Sequence, residues 1–282
     1  MADTLAVAVQ YALPKQALTQ LMGRLASAEG GAATTAVIRW FVGHYGVNML
    51  EAVPQDPAAY RTFNEFFTRR LASGARPVVR QCDLVCPVDG AISQFGPIDG
   101  DRIIQAKSHR YTTAALLGGD TTLAQQFEGG HFATLYLSPK DYHRIHMPCA
   151  GRLRGMKHVP GRLFSVNPST ARTVSDLFAR NERVVCVFDG DRGPWVLVLV
   201  GATIVGSMAT TWHGVVNGLR PKRVREWTYE GQEIKLAQGD EMGRFLLGST
   251  VVLLFPKQRL AWNVAWAPGA SVRMGERMAD WV

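Results

Sequence analysis

A chain of 282 residues with 47% hydrophobic and 19% charged side chains is too apolar for a disordered protein, and its 28 Gly and 14 Pro are ordinary usage that excludes collagen-like or low-complexity sequence. That length buries a sizeable core, as one domain or two. Thirty-one Lys+Arg against 23 Asp+Glu leave a formal charge of +8, which suits an anionic partner (nucleic acid, an acidic membrane surface or a phosphorylated ligand) without choosing among them.

The chain opens Met-Ala-Asp with no basic n-region, so a cleaved secretory signal is not expected. The first sixty residues read as helical. Leu18, Leu21, Met22 and Leu25 recur at helical spacing between Pro14 and the Gly30-Gly31 break, and Thr34 to Leu50 places Val37, Ile38, Phe41, Val42 and Tyr45 on one broad face. Lys15, Arg24 and Arg39 stand beside that apolar surface. Such helices pack on their own domain or lie in an anionic lipid interface, and the pattern leaves both open. A third helix is predicted over Phe63 to Leu71, followed by a loop through Gly74 and Pro77.

From residue 84 the texture changes to short apolar runs separated by Gly, Pro, Asn and Asp. Strands are predicted at Leu84–Val88, Ala91–Phe95, Arg102–Ala106, Phe132–Leu137, Val184–Phe188, Trp195–Val200, Thr203–Met208 and Thr250–Phe255, with helical turns at Thr112–Leu117 and Val174–Phe178. Without regular βαβ alternation, a largely antiparallel sheet or barrel is expected rather than a Rossmann fold. Gly193 to Trp212 carries no charge across the length of a membrane span, but its β-branched residues and its breaks at Gly193-Pro194, Gly201 and Gly206 predict two buried strands instead. Neither an internal repeat nor a separating linker is evident.

Familiar nucleotide-binding and protease signatures are missing: no GxxxxGK[ST], GxGxxG, HExxH or GxSxG occurs. Cys82, Cys86, Cys149 and Cys186 are too few for a disulfide framework and contain no CxxC, so reduced, packed thiols are expected and no metal site. Three segments carry candidate chemistry. In Ser138-Pro139-Lys140-Asp141-Tyr142-His143-Arg144-Ile145-His146-Met147-Pro148, two histidines three apart suit general acid–base work, since imidazole titrates near neutral pH. In Pro87-Val88-Asp89-Gly90 the carboxylate is either a turn residue or the orienting partner of an imidazole. In Gly248-Ser249-Thr250, opening an apolar strand, the side-chain-free Gly248 leaves its carbonyl open to the Ser249 hydroxyl if the backbone is bent and a base is near.

At these segments the sequence closely resembles the phosphatidylserine decarboxylase family. The resemblance is carried also by Asn64-Glu65-Phe66-Phe67-Thr68-Arg69, Gly161-Arg162-Leu163-Phe164-Ser165-Val166-Asn167, Asn181-Glu182-Arg183, Val200-Gly201-Ala202 with Val205-Gly206-Ser207, and Gly243 through Phe255, in order from about residue 60 to 256. Lys107-Ser108 departs a little from the family's usual Lys-Gly start, and no role is attached to it. What the resemblance implies is a proenzyme that cuts itself between Gly248 and Ser249, with Asp89, His146 and Ser249 as the charge-relay triad. A β chain of residues 1–248 would stay paired with an α chain of residues 249–282. Ser249 would become a pyruvoyl group, a covalent cofactor that forms a Schiff base with phosphatidylserine and accepts the electron pair released with CO2. His143 matches the first histidine of the family's motif and is assigned the proton returned to the substrate α-carbon.

The expected architecture is therefore α+β: a helical, membrane-associating region over residues 1–60, then a mostly antiparallel, sheet- or barrel-like catalytic domain over residues 61–282. The expected setting is the cytoplasmic side of the cell membrane, as a peripheral protein bound to anionic lipid, with no nucleic-acid partner and the higher oligomeric state left open. Two rivals use the same residues differently. A Ser-His-Asp lipid hydrolase would keep Ser249 intact, and a basic lipid- or nucleic-acid-binding module would need the charge alone.

Overall fold

The computed structural model describes residues 15–106, 109–203, 207–218, 222–247 and 249–282, and of residues 15–17 and 249 the backbone only. Helix α1 spans Lys15–Ser27 and α2 spans Ala32–Tyr45, ended by Gly46 in the left-handed region at φ 66°, where its N–H caps the Val42 carbonyl. Both predicted helices form, but much of their apolar surface faces outward. Thr19, Ala26 and Ile38 are buried, while Leu21, Leu25, Val37 and Trp40 are more than half exposed. The predicted third helix is shorter than expected: α3 is Phe63–Phe67. The Thr68 hydroxyl closes the turn by donating to the Asn64 carbonyl, and Arg70–Leu71 leaves to pair with Ala52–Val53.

The centre is a nine-stranded, wholly antiparallel sheet. A hairpin of Arg183–Gly190 and Gly193–Val200 lies in its middle. Next to it runs Ser249–Phe255, then His131–Leu137, Gly90–Pro97 and the short Ser271–Val272. Gly151–Val159 lies on the other side, flanked by Arg225–Thr228 and by the ninth strand, Lys235–Leu236. The path is open at both ends, so the architecture is α+β without a closed barrel. A second antiparallel sheet joins Gly214–Val215, Ser207–Thr210, Glu241–Leu246 and Arg144–His146.

Period-two alternation explains the uncharged runs of the central strands. Val196, Val198, Val200, Val252 and Leu254 belong to one apolar cluster, together with Ile38, Phe66 and Phe67 of the N-terminal helices. Leu197, Leu199, Val251, Leu253 and Phe255 belong to the other, with Met208, Ile145 and Phe245 of the second sheet. Both faces are covered, which is why Gly193–Trp212 resembles a span; among the described residues no helix is long and apolar enough to cross a membrane. The predicted strand Thr203–Met208 begins at Ser207, with 204–206 outside the described residues, and Leu84–Val88 is ordered as a strand only at Leu84–Val85.

Gly90 opens its strand where a side chain has no room: a Cβ there would stand 2.3 Å from the Tyr136 carbonyl oxygen. Gly90→Ala is therefore expected to cost about 1–3 kcal/mol through overpacking, read as a lower urea midpoint at unchanged m-value.

Candidate functional site

Three chain segments converge beside the second sheet. The Val85–Asp89 segment runs along Arg144–Pro148: the Val85 N–H donates to the Pro148 carbonyl at 2.9 Å, and the His146 N–H to the Pro87 carbonyl at 2.8 Å. Glu241–Leu246 pairs with Arg144–His146 on its other side. The third segment, residues 271–274, pairs with Gly90–Ala91 and brings the Met274 N–H to the Asp89 carboxylate at 2.9 Å.

Asp89 is 6% exposed and bonded to Arg76. The guanidinium forks onto it, Nε to both oxygens at 2.9 Å and Nη2 to Oδ2 at 2.6 Å, while Nη2 also reaches Glu51 at 2.9 Å. Although burial opposes the charge, these two carboxylates hold the Arg76 pKa above its usual range.

His146 is 8% exposed. The sequence places Asp89 against this ring, but no hydrogen bond links them. Instead Nδ1 lies 2.7 Å from the Gly239 carbonyl, and Nε2 lies 3.1 Å from the Tyr142 hydroxyl. A carbonyl only accepts, so Nδ1 carries the proton and Nε2 is the basic nitrogen. Burial pushes the Tyr142 pKa up to about 12, so its O–H is intact to donate to Nε2. Burial also lowers the His146 pKa, against the nearby carboxylates of Glu241 and Asp89, which favour the imidazolium.

His143 is fully buried, its ring centroid 4.0 Å from that of Phe67. Nδ1 donates to the Asp141 carbonyl at 2.9 Å, leaving Nε2 as a buried lone pair with no partner among the described residues. Burial pushes its pKa down to about 3. The resting ring is thus unprotonated at neutral pH. Its carbonyl accepts the Phe245 N–H at 3.0 Å, tying it to the strand that leads to the Gly248-Ser249 junction.

At that junction the chain leaves the second sheet, where Leu246 pairs with Ser207, and enters the central one, where Ser249 pairs with Leu137. Leu247 makes the reversal with φ 96° while its side chain is buried. A non-glycine residue held there stores on the order of 1–3 kcal/mol of strain, one residue before the predicted cut. Gly248 and the Ser249 side chain lie outside the described residues.

Two cavities of about 280 and 270 Å³ adjoin at Leu71, Arg76 and Tyr142, the first reaching Asp89 and the second His146. Asp89 and His146 thus line adjoining cavities, and His143 lines neither. Sequence reasoning missed Arg76, Glu51 and Gly239: each sits in a loop, and only the Gly-x-Arg-Pro stretch hinted at a fixed turn. A larger cavity of about 470 Å³, lined by Cys82, Cys149 and Trp195, lies at the far end of the central hairpin.

An amine-reactive carbonyl formed from residue 249 fits this donor set. Two buried neutral imidazoles present unprotonated Nε2 atoms, one of them unpartnered among the described residues, and neither side chain is an amine that would compete for such a carbonyl. The family model described as phosphatidylserine decarboxylase matches residues 63–280, and a second, described as PSD, matches residues 5–46. The chain belongs to the phosphatidylserine decarboxylase family. It is 68% identical to the phosphatidylserine decarboxylase proenzyme of Azoarcus sp. (strain BH72), over 99% of this chain and 97% of the relative. Identity is 66% to the proenzyme of Albidiferax ferrireducens, over 99% and 98%, and 65% to that of Dechloromonas aromatica, over 99% of both. Members of this family are pyruvoyl-dependent.

The low His143 pKa has a sign that stability can report. In the unfolded chain the ring gains its proton near pH 6.5, in the fold only near pH 3, so the unfolded state binds more protons between these values and stability falls as pH drops through that window. Between pH 6.5 and 5 the loss from this ring approaches about 2 kcal/mol. Urea titrations of parent and His143→Phe are expected to diverge by that amount on acidification; parallel curves would contradict the burial argument.

Proposed function

We propose that this protein is a phosphatidylserine decarboxylase that makes its own catalytic group by cutting between Gly248 and Ser249. The observation that carries this reading is the left-handed Leu247, a strained reversal placed one residue before a Gly-Ser pair, on the strand whose Phe245 N–H bonds to the His143 carbonyl. A hydrolase using intact Ser249 has no need of strain there, and the high-identity relatives are named as proenzymes.

For the cut, His146 Nε2 takes the Ser249 hydroxyl proton, releasing it from the Tyr142 donor. The Ser249 oxygen attacks the Gly248 carbonyl carbon, the amide C–N bond breaks, and an ester forms as the nitrogen regains a proton. Removal of the residue 249 α-proton expels the Gly248 carboxylate. Addition of water and loss of ammonia then leave a pyruvoyl cap on residues 249–282. Asp89 acts through its charge, favouring the imidazolium as it forms, while Gly239 fixes the ring.

The pyruvoyl carbonyl supplies an electrophile that condenses with the substrate amine and accepts the electron pair left as CO2 departs. Before condensing, the substrate ammonium loses a proton to solvent, because an imidazole that burial holds near pKa 3 is too weak a base to take it. His143 Nε2 is assigned the proton that goes back to the α-carbon, giving phosphatidylethanolamine.

Docking is assigned to the N-terminal helices. Leu21, Leu25, Val37, Trp40 and Leu50 are 54, 59, 51, 60 and 79% exposed, an apolar surface flanked by Arg24 and Arg39 that suits a peripheral seat on an anionic bilayer. This supports placement on the cytoplasmic side of the cell membrane, with residues 1–60 as the lipid-facing part and residues 61–282 as the catalytic one.

Gel analysis of Ser249→Ala and His146→Gln is expected to show a single uncut chain. His143→Ala is expected to be cut while CO2 release falls by about 10²-fold or more; equal loss of both would refute the division of labour. Trp40→Ser with Leu21→Ser should reduce cosedimentation with anionic liposomes and spare the cut, whereas unchanged sedimentation would remove the helices from docking.

A further inference from the structure

The cleft holds more positive charge than its own carboxylates consume. Around the cavity of about 280 Å³ stand Arg69, Arg76, Lys140 and Arg273. Arg76 is spent on Glu51 and Asp89. The remaining carboxylate, Asp141, accepts from the Ser138 N–H and hydroxyl, both at 2.7 Å. That leaves Arg69, Lys140 and Arg273 with no ion-pair partner among the described residues.

Arg69 is the unusual one. It is 4% exposed, its Nη2 donates to the Lys140 and Asp141 carbonyls at 2.9 and 3.4 Å, and its Nε and Nη1 have no partner among the described residues. Burying an uncompensated guanidinium costs several kcal/mol, and burial lowers its pKa accordingly. Its neighbours repay only part of that, through the carbonyls and the Phe66 ring, 5.6 Å from the guanidinium carbon. A buried charge beside a cavity, with two exposed cations lining it, is complementary to an anion that enters from outside.

We propose that this cavity receives the phosphodiester of the substrate headgroup, with Lys140 and Arg273 as its direct donors and Arg69 as the buried charge beside them. The assignment rests on the decarboxylase reading and goes beyond it. The place is right: Gly90 lines the cavity and abuts Leu137, whose strand partner is Ser249, so the cavity wall stands two strand spacings, roughly 10 Å, from the reacting residue. The choice of anion follows from the reaction. A cation paired with the departing carboxylate would lose that partner as neutral CO2 forms, which stabilises the ground state over the transition state. The phosphodiester keeps its charge throughout, so its pairing is uniform binding.

Calorimetry with glycerophosphoserine on the fully processed protein, its carbonyl first reduced with borohydride so that the amine cannot condense, tests this without turnover. Lys140→Gln and Arg273→Gln, both at exposed positions, are each expected to raise its Kd about tenfold, and Arg192→Gln at the far end of the central hairpin to leave it unchanged. In uncharged detergent micelles the same two variants should raise KM for phosphatidylserine with kcat within about threefold and self-cleavage unaffected. Absence of glycerophosphoserine binding by the parent, equal Kd values across the variants, or a loss confined to kcat would each overturn the assignment. Weakened binding of inorganic phosphate alone, with glycerophosphoserine unaffected, would make the cavity a free-anion site and also overturn it. Failure of the parent to release CO2 while these Kd differences persist would instead count against the decarboxylase reading.

Discussion

A chain that cuts its own backbone must hold the segment beyond the cut by something other than the peptide bond. Ser249–Phe255 meets that requirement from both sides, zipped to Gly193–Val200 on one edge and His131–Leu137 on the other. Val251, Val252, Leu253, Leu254 and Phe255 are completely buried, each worth about 1.5–3 kcal/mol of apolar burial. Residues beyond the strand add to this anchoring, since Arg277–Trp281 pairs with Leu84–Val85 and the Met274 N–H binds Asp89. A cut at the proposed position would thus leave the core in place while releasing the strain of Leu247.

The same packing sets the electrostatics of the cleft. Asp89 and His146 are built on neighbouring segments, yet each is held by a third party: the carboxylate by Arg76, the ring by the Gly239 carbonyl. The ring therefore has a fixed tautomer before any proton moves, and the carboxylate influences it through space. Arg76 also reaches Glu51, so Glu51 and Asp89 share one cation. Tyr142 completes the arrangement as a neutral donor.

How much of this was legible follows from burial. Trp195–Val200, Val184–Phe188 and Thr250–Phe255 declared themselves because strands covered on both faces have no polar alternate positions. Gly151–Val159 was missed because Arg152, Arg154 and Lys157 interrupt its inward-facing Leu153 and Met156, and Glu241–Leu246 because Gly243 reads as a turn. That glycine is instead required by close approach, a Cβ there meeting the Ala209 carbonyl oxygen at 2.4 Å. The stripe Leu21 and Leu25 marked a helix correctly and left its apolar face unassigned, since spacing cannot say whether such a face meets protein or lipid. At the site, the histidines and Asp89 were visible as motif residues. Arg76 and the Gly239 carbonyl were not, because loop cations and backbone acceptors carry no periodic signal, and the low His143 pKa depends on a burial that only the packed Phe67 ring reveals.

The central claim, a peptide bond opened from within, is tested most directly by intact-mass spectrometry of the purified protein under denaturing conditions. The account predicts two polypeptides, residues 1–248 with an ordinary carboxyl terminus and residues 249–282 bearing a keto acid in place of the serine amine, the second reactive toward hydrazines. One mass for residues 1–282 in a preparation that decarboxylates phosphatidylserine would contradict it.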